Sequence, residues 1–166
     1  RHYKIASNYG TAIFYGDFVK IVSSGTVEKD TGTTACTPIG VFVGVSYTDP
    51  NTNQKTFSQT YPASTVASDI SAYVVDDPYL EMQMQGDASL AQTALGNNVA
   101  VVQTAGSTTI GRSKNAVDAS TIATTNTLPL RIMEFVDGPD SSVGDSFTDV
   151  IVKFNVGHQL DNTTGV

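Results

Sequence analysis

Ile39-Gly-Val-Phe-Val-Gly-Val-Ser-Tyr47 is the most apolar stretch of the chain; Pro38 opens it and Asp49-Pro50 closes it. A run this short, rich in valine and aromatic residues and bounded by turn formers, reads as a strand. Gly40 and Gly44 lie four residues apart, which in a regular strand places them on one face. Glycine inside a strand marks a bend or a close approach of neighbouring backbone, as at a barrel corner. A central, strongly coiled strand is expected, with the rest of the fold built around it.

Toward the N-terminus, period-2 apolar patterns recur between turn formers. Ala12–Tyr15 is a candidate strand, Gly16-Asp17 turns into Phe18-Val-Lys-Ile-Val22, and Ser23-Ser-Gly25 turns into Thr26-Val-Glu28. Two short hairpins in tandem suit a small barrel or sandwich. Toward the C-terminus, Asp49-Pro-Asn-Thr-Asn53 is a turn leading into Lys55–Tyr61, and Pro62-Ala-Ser64 breaks that strand. Further strands are expected over Asp69–Val75, Tyr79–Gln85, Asn98–Gln103, Pro129–Val136 and Asp149–Val156. Ser89–Leu95 is the best helix candidate, with Asp87 as its N-cap and Gly96 at its C-terminus. Residues 106–126 read as a loop-rich insertion, and 161–166 as a loose polar tail. The fold class is therefore all-β: one domain over 1–166, a small antiparallel β-barrel or β-sandwich with long loops and at most one short helix.

Composition agrees. Charged residues make up 15% of the 166, well under the usual quarter, so the surface must be largely neutral and polar. Thr, Ser, Asn and Gln fill that role, which suits strands and turns rather than long helices. The net charge of -7 opposes phosphate binding, and Arg112-Ser-Lys114, the densest basic spot, reads as a solvated loop. No run of 18 apolar residues exists, so no transmembrane helix is indicated. Neither a nucleic acid nor a membrane is expected as a partner. The single cysteine, Cys36, cannot form an internal disulfide and reads as a small packed residue.

Reactive constellations are hard to assemble. The only histidines, His2 and His158, lie near the ends of the chain, and there is no Gly-x-Ser-x-Gly elbow. Asp17, Asp49, Asp69 and Asp87 fall at turns, where aspartate is favoured in its own right. Asp76-Asp77 is the sharpest acidic pair; an oxygen-rich loop there would suit a structural Ca²⁺, but its spacing matches no EF-hand. Neither a P-loop nor Gly-x-Gly-x-x-Gly is present. Phe14, Phe18, Phe42 and Tyr47 read as core. No catalytic residue, metal or cofactor is assigned, and the chain is expected not to be an enzyme.

Several segments, taken in order, resemble small virion proteins of tailed phages, particularly marine, cyanophage-type ones. They are Ala12-Ile-Phe-Tyr-Gly-Asp-Phe-Val-Lys-Ile-Val22 with Gly25-Thr-Val27, and Pro38-Ile-Gly-Val-Phe-Val-Gly-Val45 followed by Tyr47. Tyr61-Pro-Ala-Ser64 comes next, then Ala72-Tyr-Val-Val-Asp-Asp-Pro78 leading into Gln83, then Gly96-Asn-Asn98 and Leu130-Arg-Ile132. The opening Gly-Asp-x-Val followed by Gly-Val-x-x-Gly is similar to head decoration (cement) proteins more widely. The resemblance implies a structural protein of the virion, bound to the capsid surface with the major capsid protein as partner. It would sit where capsomers meet at three-fold or quasi-three-fold positions, and a homo-trimer or other homo-oligomer would match that symmetry. Arg1-His-Tyr-Lys-Ile5, basic and partly apolar in an acidic protein, is the expected contact with the capsid: Arg1, His2, Tyr3, Lys4 and Ile5.

Two alternatives stand beside this. A tail-tube, connector or fibre protein would use 106–126 to pair strands between subunits. A carbohydrate-binding or adhesin-like β-sandwich would need a row of exposed aromatics, and the chain has no Trp to supply them.

Overall fold

The computed structural model describes residues 1–157. His158 and the expected tail over 161–166 lie outside the described residues. Among the described residues eleven strands form two antiparallel sheets that do not close into a barrel.

The larger sheet runs β1 (His2–Lys4), β6 (Ser71–Val75), β4 (Gly40–Thr48), β2 (Phe18–Ile21), β3 (Val27–Lys29), with β5 (Lys55–Ser58) also on β4. The Ile39–Tyr47 stretch is thus central, as expected. One side of β4 pairs with β6 along its length; the other divides between β2, at Gly40 and Val41, and β5, from Val45 to Thr48. The pairing with β6 shifts register between Phe42 and Gly44. This bulge changes the strand's parity, so Phe42, Val45 and Tyr47 all enter one core. Gly40 keeps the parity of Phe42 and Gly44 does not, so the two glycines face opposite sides rather than one. Gly40 does mark a close approach: a Cβ there would collide with the Val75 carbonyl oxygen and come within 2.8 Å of Val74 Cγ1.

The smaller sheet runs β7 (Glu81–Gln85), β11 (Asp149–Phe154), β10 (Leu130–Phe135), β8 (Asn98–Val102), β9 (Ala116–Ala123). β9 occupies the second half of the stretch read as loop-rich. Its Thr and Asp residues hide a strand because they are fixed locally: Thr121 Oγ1 accepts from Ala100 N–H at 2.9 Å and donates to the Asp118 carbonyl.

Two apolar cores result. One gathers Val19, Val27, Phe42, Val45, Ala72 and Val74 from the larger sheet under Ile5, Ile13 and Tyr61. The other gathers Val99, Val101, Leu130, Ile132, Val150 and Val152 from the smaller. β2 joins them by strand alternation: Val19 enters the first core while Phe18 enters the second and meets Phe154 edge-on at 5.1 Å.

Only a three-residue 3₁₀ turn, Gln92–Ala94, forms where a helix was expected over Ser89–Leu95. Tertiary partners claim the start of that segment. Leu90 N–H donates to buried Thr148 Oγ1 at 3.1 Å, and its carbonyl accepts from Gly144 N–H at 3.0 Å. Asp87 caps nothing; its carboxylate accepts from Ala119 N–H in β9 at 2.9 Å. Ala12–Tyr15 forms isolated bridges rather than a strand, Ile13 to Tyr61 and Tyr15 to Arg112.

Candidate partner interface

The segment 1–5 carries the edge strand β1 of the larger sheet. His2, Tyr3 and Lys4 pair with Tyr73, Ala72 and Ser71 of β6. Alternation explains its mixed composition: Tyr3 and Ile5 turn inward, Ile5 only 4% exposed, while His2 and Lys4 turn out. Ile5 is thus a core residue and leaves the expected contact set. His2 rests edge-on against Tyr73, with ring centroids 4.6 Å apart.

Arg1 and Val74 exchange backbone hydrogen bonds of 2.6 and 2.9 Å, and Ile5 N–H donates to the Ile70 carbonyl at 3.3 Å. In an antiparallel ladder this spacing sends every second residue's backbone groups the other way. The N–H and C=O of His2 and Lys4 therefore point to the outer edge of the sheet, where a neighbouring strand would find them.

Beside this edge the sequence Asp76-Asp77-Pro78 makes a turn that closes a shallow depression of about 570 Å³ lined by Arg1, Val75, Asp76 and Tyr79. Arg1 reaches the Asp76 carboxylate at 3.1 Å, and the Tyr3 hydroxyl donates to it at 2.6 Å. Burial first, and then this hydrogen bond, push the Tyr3 phenol above its ordinary value. Asp77 accepts from Tyr79 N–H at 2.8 Å. The acidic pair is thus occupied by its own surroundings, and among the described residues no three His, Cys, Asp or Glu side chains come together.

Tyr79 is 81% exposed. The period-2 reading placed it at the start of a strand, but Pro78 and the Asp77 turn delay β7 to Glu81 and leave the ring in solvent. A Pro-Tyr sequence directly after an Asx turn was the signal available. A second place that the reading passed over is Asn115, a buried carboxamide whose oxygen and nitrogen both lack a protein partner. Its neighbour Arg112 is exposed, as expected, and stands over the Tyr15 ring at 5.9 Å.

Comparisons with protein-family models, with curated proteins and with solved structures found no match to this chain.

Proposed function

We propose that this chain is a capsid decoration (cement) protein of a tailed phage, bound to the outer surface of the head and stabilising its lattice against the pressure of packaged DNA. The observation that carries the reading is the edge of the larger sheet. There the outward backbone of His2 and Lys4 continues from Arg1, whose side chain is 77% exposed and lines one depression with the exposed Tyr79. An edge strand supplies backbone hydrogen bonds to a neighbour, and a large aromatic beside it supplies an anchor. The ordered resemblance of the Gly16-Asp17, Gly40 and Asp76-Asp77-Pro78 segments to head proteins supplies the identity of the neighbour. On a symmetric shell many modest contacts of this kind act together, so no single one has to be strong.

A tail-tube or connector role relied on 106–126 being free to pair between subunits. Residues 116–123 are instead spent as β9 on β8 of the same chain.

The test is quantitative binding of the purified protein to undecorated, expanded phage capsids, with imaging of the product. Saturable density at three-fold or quasi-three-fold sites, with greater resistance of the heads to heat, is the expected result. Failure to bind heads together with ordered self-assembly into tubes or fibres would overturn the reading and move the protein to the tail.

A further inference from the structure

The smaller sheet has a gap that fits one more strand. Its edge strands β7 and β9 touch only at the parallel bridge Gly86–Val117, where Asp87 N–H donates to the Val117 carbonyl at 2.9 Å. On the N-terminal side of that bridge the two chains are unpaired, and both line a cavity of about 320 Å³. Gln83 and Gln85 form one wall and Arg112 and Asn115 the other, with Phe18, Met82 and Met84 supplying apolar lining.

The β7 wall offers unused backbone groups at Gln83 and the Gln85 N–H, while the Gln85 carbonyl faces Val117 N–H in the Gly86–Val117 bridge. Gly86 N–H donates to Thr148 O at 2.8 Å, and β7 pairs with β11 in unbroken register. Alternation then directs the backbone of Met84 and Met82 toward β11, and that of Gln85 and Gln83 away from it. Opposite them lies the Asn115 carboxamide, whose acceptor oxygen and donor nitrogen are buried without partners. A carboxamide has the same donor and acceptor pair as a peptide bond; both Asn115 atoms are closed to solvent, so they meet an extended backbone when the side chain turns into the cavity. The lining methionines are unbranched and adapt to different side chains. Arg112 lines the cavity and is exposed, and with Lys114 it makes the densest cationic spot in a chain of net charge -7.

We infer that this cavity receives an extended segment of a partner protein, added as a strand to β7, with apolar side chains against Met82 and Met84 and an acidic side chain at Arg112. The site is separate from the β1 edge and does not depend on the capsid reading.

The test is titration of ¹⁵N-labelled full-length protein with the blocked peptide Thr-Val-Glu-Val-Thr-Val-Thr and its counterpart carrying Lys in place of Glu. Saturable shifts confined to the Asn115 side-chain amide and the Gln83 and Gln85 backbone amides are expected. The Glu peptide should bind about tenfold tighter than the Lys peptide, and Arg112→Glu, a surface change that leaves the fold intact, should reverse the order. Asn115→Leu, of similar volume, should lose the binding. No shift at these three residues up to about 1 mM of either peptide, or unchanged affinity in both variants, overturns the inference. Concentration-dependent shifts at the same amides without any peptide would assign the groove to a second copy of this chain and overturn the separate partner.

Discussion

Lys29 and Asp17 form an ion pair inside the fold: Lys29 Nζ lies 2.9 Å from Asp17 Oδ2, with the two side chains 9% and 0% exposed. The same carboxylate accepts from Phe14 N–H at 2.9 Å and from Ser113 Oγ at 2.6 Å. Around it Gly16 N–H donates to the Phe42 carbonyl and Phe42 N–H to the Asp17 carbonyl, at 2.8 and 2.9 Å. One aspartate therefore fastens β3, the turn before β2, the middle of β4 and the 107–113 loop to one point.

Removing one member of a buried pair leaves the other charged and unpaired, at a cost of about 3–5 kcal/mol. Asp17→Ala should lower the stability by that amount in urea unfolding, and Lys29→Met should also be costly. The double variant Asp17→Ala/Lys29→Met should recover part of the loss. Strict additivity of the two single changes would show that the pair is not coupled.

Gly40→Ala tests the close approach of β4 to β6. The added methyl meets the Val75 carbonyl and Val74 Cγ1, so the sheet must shift, at about 1–3 kcal/mol. Gly44→Ala meets Ser58 O at 3.2 Å and Tyr73 Cδ2 at 3.5 Å and should cost less. Equal melting temperatures for the two variants would remove the distinction between these glycines.

The strands were legible because alternation is a local property: Phe18/Val19 on β2 and Leu130/Ile132 on β10 face the cores that their parity demands. What escaped was decided by distant partners. The Phe42–Gly44 bulge, the diversion of Leu90 to Thr148 and the Lys29–Asp17 pair all join residues that local pattern cannot associate. Asp17 was legible as a turn residue, but nothing in a Gly-Asp turn announces a lysine twelve residues on. At the interface, the basic character of 1–5 was legible while its pairing with 71–74 was not, so Ile5 read as a contact residue rather than as core. Tyr79 and Asn115 were hidden for opposite reasons: one ring left out of a strand, and one polar side chain drawn into a cavity.

Cys36 should be unreactive until the protein opens. It is 2% exposed, and burial, reinforced by the nearby Asp30 charge, pushes its thiol up to about 12. Almost no thiolate then exists at pH 8, and the thiol hydrogen is directed to the Gly32 carbonyl at 2.7 Å. Alkylation by iodoacetamide should be slow in buffer and accelerate through the unfolding transition in urea. Rapid labelling of the native protein would mean that the 32–36 turn opens on its own.

Tyr79→Ala should weaken capsid binding without changing the melting temperature, because the exposed ring contributes little to the fold. Loss of a central aromatic anchor typically costs about 2 kcal/mol or more, roughly thirtyfold in affinity. Lys4→Pro removes an N–H on the outer edge while leaving the Arg1–Val74 and Ile5–Ile70 hydrogen bonds in place. It should weaken binding too if strand pairing contributes. Wild-type binding by both variants would move the contact away from this edge.

Asp69 ties β5 to the start of β6, and its titration gives the acid behaviour of that junction. Its carboxylate accepts from Lys55 Nζ at 2.8 Å, from Thr48 N–H at 2.9 Å and from Thr48 Oγ1 at 2.7 Å. The hydrogen bond from Lys55, then those from Thr48, hold the carboxyl well below the usual aspartate range. A carboxyl with a depressed folded value stabilises the native state fully above its unfolded value, ~3.9, and loses that contribution as pH falls through the folded value. Carboxyl-detected NMR should therefore show Asp69 still ionised at pH 3, where an unperturbed aspartate is mostly protonated. Lys55→Ala should bring it back toward the ordinary value. If Asp69 titrates normally in the wild type, the Lys55 and Thr48 contacts are not kept in solution, and the end of β5 is held by its pairing with β4 alone.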